Sequence, residues 1–185
     1  MKPVLTPQFA VILLFLIAVA CRDENPPPPA HPSEVITTVQ LKFSSVDDPS
    51  EEFWVVFSDP DGIGGNPPVR FDSIRLKSTK TYECEITLID ESHTPAHDLT
   101  HEIEQEADDH QFYFLPSGVD VVVTYADADS KGRPIGLKSL WQCGAAGQGT
   151  MTLILKHKPG LKGDSDPPTV GDTDIEVAFT MFVVN

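Results

Sequence analysis

Apolar and polar residues alternate along most of this chain with a period of two. Val35, Val39, Leu41 and Phe43 share one parity, and residues 82–89, 111–115, 119–125, 137–143 and 151–156 continue the pattern. Ile175, Val177, Phe179, Met181 and Val183 mark one face of a last run over 175–184. Successive strand side chains point to opposite faces, so each run predicts a half-buried strand. Residues 53–57 are apolar at both parities and predict a central strand covered on both sides. Loops rich in Gly, Pro and Asp separate the runs at 59–68, 127–134 and 158–172. About eight short strands with no βαβ alternation predict a mainly β chain, an antiparallel immunoglobulin-like sandwich of about eight strands.

One stretch changes period. Thr94 suits a helix cap, Pro95 a first position and Asp98 the positive end, which predicts one short helix over 95–109. Leu99, Ile103 and Ala107 form its narrow apolar stripe, to be laid across an edge or end of the sandwich. On the far side His97, His101, Glu104 and Asp108 fall within about 60° of one another. Two imidazoles and a carboxylate suit zinc or another first-row cation. A plain water-facing polar stripe has the same spacing, and both readings stand. The four residues span nearly three turns, so one ion does not reach them all. His93 lies just before the helix, and His110 turns towards its apolar side. The stretch 97–101, His-Asp-Leu-Thr-His, resembles the HExxH motif of zinc proteases. Asp98 replaces the basic glutamate and no third ligand is evident, so catalysis is not expected. No GxSxG, phosphate loop or CxxC pair occurs.

The amino terminus is different again. Lys2 is followed by twelve apolar residues, 9–20, which is short of the roughly 20 a membrane span needs. A charged start, an apolar run and small residues before a cut predict a signal peptide over 1–20. Ile17-Ala18-Val19-Ala20-Cys21 resembles a bacterial lipobox, which implies cleavage before Cys21 and acylation of its thiol. Arg22-Asp23-Glu24 resembles the export signal of Bacteroidota-type lipoproteins bound for the outer face of the outer membrane. A Pro-rich tether over 21–33 precedes a single domain over 34–185.

Charge narrows the partners. The chain has 13 Lys and Arg against 28 Asp and Glu, net −15. Loss of 1–20 removes Lys2 alone and leaves 12 against 28, or −16. Phosphate backbones need basic partners, so no nucleic acid is expected. Acidity also suits a divalent cation. Residues 59–66, Asp-Pro-Asp-Gly-Ile-Gly-Gly-Asn, resemble a calcium loop with Asp59, Asp61 and Asn66 as oxygen donors, or form an Asp/Gly turn. Asp127, Asp129 and Gly132 begin like an EF-hand loop, but Lys131 and Lys138 stand where ligands belong, and a hairpin is expected. Trp54 and Trp141 are expected in the core. Cys84 and Cys143 both sit at inward parity, as a disulfide or as two separate buried thiols.

Residues 59–66, 101–114 (His-Glu-Ile-Glu-Gln-Glu-Ala-Asp-Asp-His-Gln-Phe-Tyr-Phe), 134–138 (Pro-Ile-Gly-Leu-Lys) and 171–179 (Gly-Asp-Thr-Asp-Ile-Glu-Val-Ala-Phe) resemble a group of small Bacteroidota outer-membrane lipoproteins. Some of that group are labelled with a type 1 periplasmic-binding fold, which implies two α/β lobes around a solute. The strand-rich pattern of 165 mature residues predicts one sandwich instead. The expectation is a lipid-anchored, surface-exposed, non-catalytic binding protein of the outer membrane. It would face the cell exterior and take a divalent cation (Zn or Ca) or small ligand beside an uptake receptor. A protein–protein interaction or adhesion module of the envelope is the alternative.

Overall fold

The computed structural model describes residues 34–62 and 64–185. The signal peptide over 1–20, the tether over 21–33 and Cys21 lie outside the described residues. The described chain is a β-sandwich of two sheets with one short helix. The larger sheet runs in the order β3 (Arg70–Phe71), β2 (Glu52–Ser58), β1 (Thr38–Ser45), β5 (Thr81–Asp90), β9 (Lys138–Cys143), β8 (Val121–Tyr125). A two-residue strand, β6 (His97–Asp98), pairs with the end of β5. The smaller sheet runs β4 (Ile74–Lys77), β11 (Asp172–Val184), β10 (Gly147–His157), β7 (His110–Ser117). All pairs are antiparallel except β4 with β11.

The alternation read from the sequence supplies the core. Val39, Leu41 and Phe43 of β1 share one buried cluster with Met151, Leu153 and Leu155 of β10 and with Ile175, Val177, Phe179, Met181 and Val183 of β11. Trp141 is fully buried at its centre, and its indole N–H donates to Ser139 Oγ at 2.9 Å. Each such side chain contributes about 1.5–3 kcal/mol by leaving water.

Three expectations need correction. Eleven strands form among the described residues where about eight were expected, because β3, β4 and β6 are only two to four residues long. The helix, α1, covers only Thr100–Gln105. His97 and Asp98 are taken by ladder pairing with Asp90 and Ile89, the Thr94–Pro95 bond is cis, and Leu99 caps the helix with no side-chain bond. Its apolar stripe is nonetheless as read: Leu99 and Ile103 are buried and Ala107 packs against the core. Trp54 is 47 % exposed, on the outer face of β2 under the Lys42 ammonium. Only the other parity of that strand, Phe53, Val55 and Phe57, packs into the core.

Candidate metal centre

One end of the smaller sheet brings together polar residues far apart in sequence. His110 opens β7 at the same parity as Phe112, and His157 closes β10 at the parity of Leu153 and Leu155. The ladder sets them directly opposite each other on the inner face. Their rings stack 4.6 Å apart and 5° from parallel, with His110 fully buried and His157 nearly so. Asp174 comes from the neighbouring strand through a bulge. Leu155 pairs with Ile175 and Lys156 with Thr173, so Asp174 is the extra residue between them. Such a bulge re-aims one side chain. The Asp174 carboxylate is 0 % exposed. Gly171, at φ 79°, lies where a Cβ would collide with the His157 carbonyl, so β11 can start this close only with glycine. Glu34 precedes β1 and completes the group, its side chain 14 % exposed.

The hydrogen-bond pattern fixes the His110 ring. Its Nδ1 lies 3.1 Å from the Glu106 carbonyl oxygen, to which it can only donate. Neutral imidazole then carries its lone pair on Nε2. That nitrogen faces two carboxylates, Glu34 Oε1 at 3.6 Å and Asp174 Oδ2 at 3.7 Å. A lone pair turned towards two carboxylates is repelled unless one of them holds a proton or a cation lies between them. Burial lowers the His110 pKa, which opposes a proton in that role. Burial first, and the Glu34 charge next, push the Asp174 carboxyl up to about 7. His110 Nε2, Glu34 Oε2 and both Asp174 oxygens are buried without hydrogen-bond partners among the described residues. Each such atom costs about 1–3 kcal/mol.

The spacing suits an ion better than a proton. Distances of 3.6 and 3.7 Å are too long for hydrogen bonds. They are close to the roughly 3.3 Å edge of a tetrahedron with metal bonds of about 2.0–2.1 Å. Ligand atoms of Glu34, His110 and His157 all lie within 4.8 Å of one another. These two imidazoles and one carboxylate match zinc and its first-row neighbours, and Asp174 stands beside the trio with Oδ2 3.7 Å from His110 Nε2. The Glu106 carbonyl orients the His110 ring from behind, as outer partners of ligating histidines do.

The sites expected from the sequence fall elsewhere. His97, His101, Glu104 and Asp108 do not converge. His97 lies 3.6 Å from Glu102, and His101 3.6 Å from Glu104, all exposed. Asp108 accepts from Ser130 N and Oγ at 3.1 and 2.8 Å. The truncated helix breaks the stripe. Asp61 accepts from Asn66 N and Nδ2 at 2.8 and 2.7 Å, so these two serve each other. Asp59 instead turns inward and is buried, with Oδ1 unpartnered. Burial first, and Asp61 next, raise its pKa.

The loop over 127–134 is a hairpin in which Asp129 accepts from Arg133 Nε at 2.8 Å and lies 3.1 Å from Lys162 Nζ. Cys84 and Cys143 are free buried thiols. Cys84 lies opposite Ser139, four residues along β9 from Cys143. At about 3.3 Å per residue that is roughly 13 Å, beyond the reach of a disulfide. Burial pushes the Cys143 thiol up to about 11 and the Cys84 thiol higher still.

Fold and site together define a β-sandwich whose open end is plugged by a buried two-histidine, two-carboxylate cluster. No protein-family model, curated protein or solved structure matches this chain.

Proposed function

We propose that this chain is a lipid-anchored, surface-exposed, non-catalytic binding protein of the outer membrane. Its ligand is a divalent transition-metal cation of the zinc class, held by Glu34, His110, His157 and Asp174. The observation that carries this reading is the His110 Nε2 lone pair, buried and turned towards two carboxylates with no hydrogen-bond partner among the described residues. The buried Glu34, His110 and His157 trio with Asp174 beside it supports a closed site, in which Asp174 supplies the fourth donor, whereas catalytic zinc keeps a position open for water or substrate. The Cys21 lipobox, the acidic residues after it and the Pro-rich tether support the cell surface as the place of action, beside an uptake receptor.

The test is a zinc titration of the full chain in detergent after chelator treatment. One equivalent is expected to bind. His110→Ala and His157→Ala are each expected to weaken binding more than about 100-fold, since even outer partners cost 10–100-fold. The double variant His97→Ala/His101→Ala is expected to bind like wild type. Binding that survives His110→Ala but not the helix variant would overturn the assignment.

A further inference from the structure

We infer that residues 34–36 are the gate of the metal centre, so that the cation enters and leaves when this segment lifts off the sandwich and carries Glu34 away. The inference rests on the reading of Glu34, His110, His157 and Asp174 as a zinc site. The four donors differ in what holds them. His110 and His157 sit opposite each other in the β7–β10 ladder, and Asp174 sits in the bulge of β11. His110 and the Asp174 carboxylate are 0 % exposed and His157 is 5 % exposed. Glu34 lies outside every strand, and its side chain reaches solvent at 14 % exposure. Among the described residues, the one backbone hydrogen bond made by residues 34–36 is local, from Ile36 N to the Glu34 carbonyl at 3.1 Å. Thr37 is fastened on both sides: its N–H donates to the Ile89 carbonyl at 3.0 Å and its own carbonyl accepts from Asp59 N at 2.8 Å. A segment with few backbone bonds opens at low cost while the rest of the fold stays closed.

Ile36 is the apolar anchor of this segment. It packs, half-buried, against the core, whereas Val35 is 56 % exposed. A cavity of about 40 Å³ borders both Ile36 and Asp174, so lifting Ile36 opens it and gives water a way to the cluster. Charge sets the direction of the movement. Glu34 and Asp174 both face His110 Nε2, at 3.6 and 3.7 Å, and without a cation two like charges so close push the looser one outward. A bound cation attracts both and draws the segment in, so the cargo closes its own gate. With Glu34 lifted, His110, His157 and Asp174 remain, and three protein ligands with an open position are what zinc needs to accept water or another ligand.

The test is the kinetics of zinc exchange by the full chain in detergent, with zinc chloride loaded after chelator treatment and release followed into excess chelator. Ile36→Ala removes the anchor and no ligand. It is expected to speed loading and release alike, each by at least about fivefold, and to leave affinity within about threefold, because only the opening step changes. Glu34→Ala is expected to load faster than wild type although a charge is lost, whereas loss of charge without a gate slows the approach of a cation. Val121→Ala, a core change in the edge strand β8, is expected to lower the melting temperature and leave both rates unchanged, which separates the gate from general loosening. In wild type, zinc is expected to slow hydrogen exchange at the Val35 and Ile36 amides by at least about tenfold. Wild type that binds no zinc removes the metal reading and the gate with it. Wild type that binds zinc, with Ile36→Ala exchanging it at wild-type rates, overturns the gate alone and leaves the metal centre standing.

Discussion

Two buried carboxylates show what this protein does when a charge is to be neutralised from within. Asp129 and Asp174 both have fully buried side chains. Asp129 is answered on every side: by backbone N–H groups of Lys131 and Arg133 at 2.9 and 2.8 Å, by the Arg133 guanidinium and by the Lys162 ammonium. Burial alone would raise its pKa, but the Arg133 N–H, Lys162 and the other donors outweigh it and hold the carboxyl well below the usual range. Asp174 has none of this. This contrast between Asp129 and Asp174 is what the proposed cation site rests on. Asp129→Ala leaves Arg133 and Lys162 buried without their carboxylate, and is expected to cost about 3–5 kcal/mol in chemical denaturation. The pH dependence has a definite sign. A carboxyl whose pKa is depressed by folding stabilises the fold above its unfolded value, near 3.9, and loses that contribution as pH falls further towards the folded value. Wild type is therefore expected to lose stability below about pH 3.9 more steeply than Asp129→Ala. Parallel acid titrations with equal slopes would contradict the role given to Asp129.

At the scale of elements, the bulge in β11 is the device that makes the site. Without Asp174 the ladder would run unbroken, with Thr173 outward beside Lys156 and Asp172 opposite His157. Deleting Asp174 is therefore expected to leave the fold intact. The metal-free variant should melt at or above the wild-type temperature, since a buried unpaired carboxylate has gone. Its zinc affinity should fall by more than about 100-fold. A collapse of the β10–β11 pairing would instead show that the bulge is structural. The same bulge explains what could be read from the chain in advance. Alternation located seven of the eight long strands and a run apolar at both parities located β2, and those strands carry most of the core. Ile74 and Leu76 of β4 also alternate, but over four residues the signal is faint. The helix was overdrawn because residues 97–98 satisfy a helical spacing while tertiary pairing with β5 claims them. None of the four site residues was read as a ligand, although a signal for two of them was present. His110 and His157 hold inward parity beside Phe112 and Leu155, and two inward histidines in apolar strands form a signal. Asp174 was hidden, since a bulge shifts parity, and Glu34 lies before the first strand, where no periodicity applies.

At the scale of the molecule, the sandwich is closed at this end by charge rather than by apolar side chains. Glu34 comes from the segment leading into the larger sheet, and His110, His157 and Asp174 from the smaller one. The proposed cation would tie the two layers together at the end where Glu34 leads into β1, and its binding would then be part of the folding free energy of the domain. The net charge of −15 adds a general attraction for divalent cations but selects none. Selection rests on the donor atoms. X-ray absorption at the zinc edge, on the full chain loaded with one equivalent, reads those atoms directly. Two imidazole nitrogens and two carboxylate groups are expected, at about 2.0–2.2 Å. A spectrum without imidazole, or one dominated by water oxygens, would contradict the assignment of Glu34, His110, His157 and Asp174 as the metal centre.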